Sequence, residues 1–192
     1  MLDNLKGKKI ILASKSPRRQ ELLRGLGIEF EVRTREIPED YPASIAAEDV
    51  PLFLAEKKAL EFLDDLAENE ILITADTIVI HQQNILEKPL DKNHAHSMLR
   101  KLADSEHTVV TGVCCMSKTK KIIFADKTNV YFGPLTEDEI DYYIEHFKPF
   151  DKAGSYGAQD WIGLTTIYRL EGSYFNVMGL PVHRLYDALK KF

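Results

Sequence analysis

The segment Ser14–Arg19 carries the most recognisable chemistry of this 192-residue chain. It follows an apolar run typical of a buried strand and precedes a run typical of a short amphipathic helix. Ser16 stands where a helix cap belongs, and Pro17 where the first helical residue belongs. Arg18 and Arg19 then fall in the first turn, although the partly positive amino end of a helix prefers acidic residues. Exposed N–H groups, hydroxyls and guanidinium groups at one strand-to-helix junction indicate an anion site, and phosphate is the expected anion.

A carboxylate, Asp76, interrupts the apolar run Ile71–Ile80. Burying a carboxylate in the middle of a strand is costly unless it is paired, hydrogen-bonded or bound to a metal ion. In a structural interpretation, a neighbouring lysine or a backbone N–H satisfies it. In a functional interpretation, it is a base or a metal ligand at a strand end, where α/β sheets usually place ligands. The residue pattern alone leaves both interpretations open.

Other candidate groups lie in loops or on a helix flank. The loop Asp151–Gln159 contains two glycines, a lysine and a glutamine, which suit either close backbone approach to a ligand or a plain surface turn. Lys58 flanks the apolar face of a predicted helix, where a lysine usually extends to water. Lys88 precedes a proline and is therefore extended. Glu36 and Glu39 lie in an acidic loop, where solvation is the simplest interpretation.

Several familiar catalytic spacings are missing from the sequence. His94 and His96 are two positions apart on a predicted helix, so they face different directions and do not converge on a metal. The other histidines are scattered, without zinc-ligand spacing. Neither a GxxxxGK[ST] loop nor a GxSxG motif occurs. These observations exclude the commonest zinc, P-loop and serine-hydrolase patterns.

Alternating strand and helix signals must position these groups, and they predict an α/β fold with a mixed twisted sheet flanked by helices. Predicted strands cover residues 9–13, 30–35, 71–80, 108–116, 122–132, 161–170 and 173–178. Predicted helices cover residues 17–25, 49–66, 91–103, 136–146 and 182–191. Thr136 and Glu139 form a capping box that starts one of these helices. Because no repeat or linker interrupts the pattern, we expect a single domain over residues 1–192.

Composition narrows the class of protein. A net charge of −5 argues against general electrostatic binding of nucleic acid. No apolar run approaches the roughly 18–20 residues of a membrane span, and the run near the amino terminus is too short for a signal peptide. Cys114 and Cys115 are adjacent and would point to opposite faces of a strand, so we expect reduced core residues in a cytoplasmic protein.

Blocks spread over nearly the whole chain resemble the Maf family of nucleoside triphosphate pyrophosphatases. In chain order the blocks are residues 14–23, 56–59, 75–77, 87–89, 98–102, 151–159, 172–174 and 177–181. The resemblance implies a Maf / ITPase-like α/β fold with two lobes around a substrate cleft. It implies hydrolysis between the α and β phosphates to a monophosphate and pyrophosphate. It also implies a divalent cation, Mg²⁺ or Mn²⁺, and a cytoplasmic setting.

The resemblance also assigns roles residue by residue. Asp76 corresponds to the proton acceptor and, together with Glu39, to a metal ligand; Glu36 is an alternative because the loop alignment is loose. Lys58 and Lys88 correspond to catalytic lysines. The phosphate-binding residues correspond to Ser14, Arg18, Arg19 and Lys152.

A subgroup that acts on dTTP and UTP is similar to this chain at Arg18, Thr77 and Gln159. The expected substrates are therefore dTTP and UTP, with modified pyrimidine nucleotides as further candidates. One departure is Asp160-Trp161, where many members have a glycine, and it bears on the shape of the base pocket. The resemblance is compatible with a homodimer, although neither a heptad repeat nor an apolar patch indicates one.

Two other classes of function compete with hydrolysis. A non-hydrolytic nucleotide-binding regulator of cell division would share the phosphate site. Asp76 and Glu39 argue against it, because carboxylates without a metal would repel a triphosphate. A nucleic-acid-binding protein would use the same basic groups, but the net charge and the lack of a basic stripe interleaved with aromatic residues argue against that class.

Overall fold

The computed structural model describes residues 2–192 as an α/β protein. The strands are β1 (Lys9–Leu12), β2 (Phe30–Val32), β3 (Glu70–His81), β4 (Asn84–Leu86), β5 (Glu106–Met116), β6 (Lys121–Phe132) and β7 (Ile167–Glu171). The helices are α1 (Pro17–Gly25), α2 (Val50–Leu60), α3 (Lys92–Leu102), α4 (Glu137–Phe147), α5 (Trp161–Thr166), α6 (Tyr174–Val177) and α7 (Val182–Leu189). Short 3₁₀ turns cover Asp3–Leu5, Ala47–Asp49, Leu63–Asp65 and Ala153–Ser155.

The strands described in residues 2–192 form a seven-stranded sheet in the order β2-β1-β3-β5-β6-β7, with β4 paired to β3. The sheet is mixed, because β1 pairs parallel with β2 and β3, whereas β4 and β7 pair antiparallel with β3 and β6. This confirms the predicted fold class. The chain divides into two compact units: the first holds the chain up to Asp76, Thr111–Asp126 and Gly179–Phe192, and the second holds Thr77–Val110 and Lys127–Met178.

The core of the first unit lies between α2 and the strands β1, β3 and β5. Its buried members are Ile11, Ala55, Ala59, Phe62, Leu66, Leu72, Cys114 and Met116. The amino end of α2 approaches β5 closely, because a Cβ added at Gly112 would lie 2.3 Å from the carbonyl carbon of Pro51. The hydroxyl of Thr74 donates to the carbonyl of Ala55 at 2.6 Å and ties α2 to β3. Glycine at position 112 thus sets the depth at which α2 packs.

The core of the second unit gathers side chains from β3, β4, β5 and β6 with those of α3, α4 and α5. β4 pairs with the end of β3 through Val79 and Leu86. Between β5 and the loop before α5, His107 lies 2.7 Å from the hydroxyl of Tyr156 and packs edge-on against Phe132. Burial lowers the pKa of His107 to about 3, so the ring is neutral.

Most predicted elements are confirmed, and four differ. The strand predicted over 30–35 ends at Val32. The helix predicted over 49–66 ends at Leu60, and a 3₁₀ turn follows. The strand predicted over 161–170 is wrong in its first half, because residues 161–166 form α5 before β7 begins. The strand predicted over 173–178 is wrong, because the Ser173 side chain accepts from the N–H of Asn176 and caps α6. In α5 the buried Ile162 and Thr166 are four positions apart. Residues at this spacing lie on one face of a helix and also on one face of a strand, so a run this short does not distinguish the two.

Cys114 and Cys115 are both buried and free of disulfides, as predicted. Burial raises the pKa of the Cys114 thiol to about 12, so the group is a neutral core side chain. Within residues 2–192, no helix is long and apolar enough to cross a membrane.

Candidate functional site

The Ser14–Arg19 junction forms the predicted cap. The Ser16 hydroxyl accepts from the backbone N–H of Arg19 at 3.5 Å, and Pro17 begins α1. The backbone N–H of Ser16 in turn donates to the hydroxyl of the buried Ser14 at 3.2 Å. Two hydroxyls therefore order the turn that leads from β1 into α1, and the prediction of a Ser16 cap is confirmed.

Arg19 is held by backbone carbonyls on both sides. Its Nη1 donates to the carbonyl oxygen of Ala75 at 2.9 Å, and its Nε donates to that of Gly179 at 2.8 Å. Burial lowers the pKa of this guanidinium, while the nearby charge of Asp76 opposes the shift. Arg19 consequently fixes the residue before Asp76 and brings a positive charge close to that carboxylate.

Asp76 and Lys58 form a buried ion pair. The Nζ of Lys58 lies 2.6 Å from Oδ1 of Asp76 and 2.6 Å from Oε1 of Glu39. Only 14% of the Lys58 side chain is exposed, so the expectation that this lysine extends to water is wrong. One ammonium group thus holds two carboxylates that the sequence separates widely.

The register of α2 on β3 brings this pair together. Thr74 bonds to Ala55, and Asp76 pairs with Lys58. Asp76 is two residues beyond Thr74 on the same face of the strand, and Lys58 is three residues beyond Ala55 on the same face of the helix. The Thr74 contact therefore sets the helix height at which Lys58 meets the carboxylate.

The environment of Asp76 makes it a stronger base than an ordinary aspartate. Burial raises its pKa, while Lys58 and Arg19 oppose the rise and Glu39 adds to it. Without its two cations, the carboxylate would be protonated over a wider pH range. The arrangement can hold a carboxylate that is both ionised and basic.

The acidic loop separates its two candidate glutamates. Glu39 contacts Lys58, whereas the exposed Glu36 lies 3.9 Å from Lys15, another exposed side chain. Asp40 pairs with Lys57 at 2.7 Å, away from the buried pair. Geometry therefore favours Glu39 over Glu36 as the partner of Asp76.

A metal ion at this place would find few protein ligands. In the described part of the chain, no group of three or more His, Cys, Asp or Glu could hold a metal ion. Asp76 and Glu39 nevertheless reach one common cation, the ammonium of Lys58. Two carboxylates suit Mg²⁺, which prefers oxygen ligands and retains several waters. The donor chemistry of the pair fits such an ion.

In the second unit, the blocks around Lys88 and Lys152 meet. The backbone N–H of Gly154 donates to the carbonyl of Glu87 at 3.2 Å, which joins the Glu87–Pro89 segment to the Asp151–Gln159 loop. Gly154 has a φ of +66°, and an added Cβ would meet Val79 at 3.0 Å. The loop thus needs a glycine there for both backbone conformation and space.

The end of the Asp151–Gln159 loop carries a small polar network. Lys152 lies 2.9 Å from a carboxylate oxygen of Asp151 and 3.7 Å from one of Asp160. The Gln159 amide donates to Asp160 at 3.0 Å, and the Tyr143 hydroxyl donates to Asp160 at 2.7 Å. Sequence reasoning noted Asp160 only as a departure and missed Tyr143, because helix α4 brings that hydroxyl to the loop from a distant part of the chain.

Thr77 directly follows Asp76 in β3 and is half-buried. Since neighbours in a strand alternate between its faces, its side chain does not share the face of Asp76. Gln159 is also half-buried, close to the start of α5. These two candidate specificity residues both belong to the second unit.

Comparison with known proteins places the chain in a family. A solved structure of a nucleoside-triphosphatase / dITP/XTP pyrophosphatase from Mycobacterium abscessus is only 15% identical, with a TM-score of 0.41 over 65% of this chain and 72% of its own. A protein of Parabacteroides distasonis named dTTP/UTP pyrophosphatase is 49% identical, covering 100% of both chains. One of Porphyromonas gingivalis with the same name is 52% identical, covering 100% of this chain and 98% of its own. The profile of the family Maf, described as Maf-like protein, matches residues 9–192, and the chain belongs to that family.

Proposed function

We propose that this chain hydrolyses nucleoside triphosphates, dTTP and UTP foremost, between the α and β phosphates to a monophosphate and pyrophosphate. The observation that carries the proposal is the contact of one ammonium group, that of Lys58, with both the buried Asp76 and Glu39. A pure anion binder has no use for carboxylates at its centre. The names of the relatives support the reaction and the pyrimidine substrates. The family match over residues 9–192 supports our inference that residues 1–192 act as one domain.

In the proposed mechanism, Asp76 accepts a proton from the attacking water. The water oxygen bonds to the α phosphorus, the bond from that phosphorus to the α–β bridging oxygen breaks, and pyrophosphate leaves with the bridging oxygen while the monophosphate keeps the new P–O bond. Burial raises the pKa of Asp76 and so strengthens it as a base. Lys58 keeps this carboxylate ionised before the transfer and places a positive charge at the site.

Glu39 and Asp76 would hold the divalent cation, Mg²⁺ or Mn²⁺. When bound, such an ion supplies charge neutralisation and lowers the pKa of a coordinated water. The fit rests on the two carboxylates that converge on one ammonium group.

The phosphate-binding residues are inferred for each unit separately. In the first unit, we assign phosphate binding to Ser14, Arg18 and Arg19, which lie at the start of α1. In the second unit, we assign it to Lys152. We assign a catalytic role to Lys88, whose segment is joined to that of Lys152 by a backbone hydrogen bond. Arginine grips phosphate oxygens in bidentate fashion, and lysine contributes a mobile point charge.

Base selection is assigned to Arg18, Thr77 and Gln159, by family resemblance. The amide of Gln159 offers a donor and an acceptor, which together match the polar edge of a pyrimidine.

We also place the protein in the cytoplasm, since two buried free thiols suit a reducing compartment. A homodimer is compatible with the family resemblance, and light scattering of the purified chain would decide it.

A panel of nucleoside triphosphates tests the function directly. With Mg²⁺ or Mn²⁺ present, we expect pyrophosphate release from dTTP and UTP to exceed that from CTP and the purine nucleotides. A preference for purines would overturn the pyrimidine assignment. Tight nucleotide binding without release of pyrophosphate, under either metal, would favour the regulator instead.

A further inference from the structure

We propose that Asp160 is a specificity-determining positioning residue that locks the amide of Gln159 in the orientation that accepts uracil and thymine and rejects cytosine. The inference rests on the proposed function, since it requires Gln159 to face the base. Asp160 belongs to the pair Asp160-Trp161, at which many members of the family have a glycine.

Both carboxylate oxygens of Asp160 are engaged. Oδ1 accepts from the Gln159 amide nitrogen at 3.0 Å, and Oδ2 accepts from the Tyr143 hydroxyl at 2.7 Å. Tyr143 is itself held, because its hydroxyl accepts from the backbone N–H of Gly157 at 3.1 Å. Lys152 adds a positive charge 3.7 Å from Oδ2. The carboxylate that receives the amide is thus fixed from three directions.

The chemistry of a carboxylate decides which end of the amide faces it. An ionised carboxylate only accepts hydrogen bonds, so the end of Gln159 within 3.0 Å of Asp160 must be its NH₂ group. Turning the amide over would set its carbonyl oxygen against a carboxylate oxygen, replacing a charge-assisted hydrogen bond by repulsion. Asp160 thereby fixes the positions of the donor and the acceptor.

An amide locked in this way distinguishes uracil from cytosine. Uracil and thymine present an N3–H donor beside a carbonyl acceptor, which matches the amide oxygen and the second N–H of the amide nitrogen. Cytosine presents the reverse, an N3 acceptor beside an amino donor, and pairs with the amide only after a flip. Because uracil and thymine share this edge, the lock does not separate UTP from dTTP.

The backbone beneath these side chains is shaped for the same contact. A Cβ at Gly157 would lie 2.5 Å from Oδ2 of Asp160 and 2.7 Å from Nε2 of Gln159. Distances below 3 Å force a shift, so any larger residue would displace the amide or the carboxylate. Gly157 therefore permits the close packing of Gln159 and Asp160 over the loop.

The test compares Asp160→Asn with the wild type by kcat/KM for UTP, dTTP and CTP. Asparagine presents either a donor or an acceptor to Gln159, so both amide orientations become accessible. A charge-assisted hydrogen bond contributes enough to change such a ratio about tenfold. We expect the UTP-to-CTP ratio to fall about tenfold while the dTTP-to-UTP ratio stays within about twofold. The kcat/KM for CTP should stay the same or rise, whereas damage to the fold would lower it.

Three further variants test whether a changed UTP-to-CTP ratio arises from the contact between Asp160 and Gln159. Asp151→Asn removes the other carboxylate beside Lys152 and should leave the UTP-to-CTP ratio unchanged. In a Gln159→Ala background, Asp160→Asn should have no further effect on that ratio. Gly157→Ala, which reaches the same contact from the backbone, should lower the ratio even if the Asp160 variant folds poorly.

A UTP-to-CTP ratio that Asp160→Asn and Gly157→Ala leave within about twofold of wild type would overturn the inference. A parallel fall of both kcat/KM values, or an equal effect in the Gln159→Ala background, would also overturn it. A wild type that shows no preference for UTP over CTP would contradict the proposed function, in which dTTP and UTP are the foremost substrates, and this result separates the two failures.

Discussion

Lys58 is the residue on which the chemistry of the first unit depends. It sits on the flank of α2, and its ammonium group contacts both Glu39 and Asp76 at 2.6 Å. Opposite charge favours the ionised form of a carboxylate, whereas burial disfavours it. Lys58 is therefore the group that keeps the buried Asp76 ionised in spite of its desolvation.

Lys58→Met should move the acid limb of the kcat/KM profile to higher pH. Removal of the ammonium group raises the pKa of Asp76 further, so the base stays protonated to a higher pH. We expect this upward shift of the acid limb in addition to a loss of rate. Lys57→Met is the matched control, because Lys57 pairs with the exposed Asp40. If the acid limb of the kcat/KM profile lies at the same pH in Lys58→Met and in Lys57→Met, Asp76 is not the titrating base.

At the scale of elements, the position of helix α2 on the sheet determines whether Lys58 meets Asp76. The contact of Thr74 with Ala55 fixes its height on β3, and the close approach of Pro51 to Gly112 fixes its depth on β5. Both contacts join elements that are distant in sequence. A shift of this helix by even a fraction of a turn would part Lys58 from Asp76.

Gly112→Ala should destabilise the protein by about 3 kcal/mol or more, because its Cβ would overlap the backbone of α2 rather than a mobile side chain. Urea unfolding followed by circular dichroism measures the change. Gly25→Ala is the control: nothing lies within 4 Å of the added Cβ, so the helix preference of alanine should raise stability by up to about 1 kcal/mol. Equal effects of the two variants would contradict the packing of α2 described above.

At the scale of the whole molecule, two buried groups make stability depend on pH in the same direction. Glu70 accepts two hydrogen bonds from Arg33, and its pKa is lowered to about 2. Burial lowers the pKa of His107 to about 3. In both cases the unfolded chain takes up the proton first. Stability is therefore lost as pH falls, from about 6.5 toward 3 through His107 and from about 4.5 toward 2 through Glu70.

Glu70→Gln should lower the free energy of unfolding by about 2–3 kcal/mol at pH 7, and the difference should shrink as pH falls below about 4.5. Urea titrations of the variant and the wild type between pH 7 and 3 measure it. Glu31→Gln removes an exposed carboxylate that also bonds Arg33 and should cost no more than about 1 kcal/mol. A Glu70→Gln deficit that does not change with pH would contradict the lowered pKa.

Much of the fold is predictable from local sequence signals. The Ser16 cap, the Thr136 capping box and the long apolar run of β3 each depend on neighbouring residues, and each is confirmed. Helix α5 was mistaken for a strand because six residues are too few to show a period, and because its Gly163 packs against the Ala158 carbonyl. That close approach is a tertiary contact, which local pattern does not report.

The candidate site was predictable in its residue types and not in its pairings. Asp76 stood out because a carboxylate interrupts an apolar run, but the sequence left open which group satisfies it. Lys58 looked like a solvent-facing lysine because its burial arises only when α2 packs on β3. Tyr143 carried no signal at all, since its hydroxyl reaches Asp160 through the docking of α4.

The most direct measurement is the turnover of dTTP by Asp76→Asn beside the wild type, in saturating Mg²⁺, with substrate affinity determined separately by calorimetry. The proton acceptor accounts for about 10²–10⁴-fold of rate in reactions of this kind. We predict that kcat falls by at least about 100-fold while the dissociation constant for dTTP changes only a few-fold. Asp40→Asn, in the same loop as Glu39 but paired with Lys57, should keep near-normal turnover. A folded Asp76→Asn protein with near-normal kcat would contradict the account.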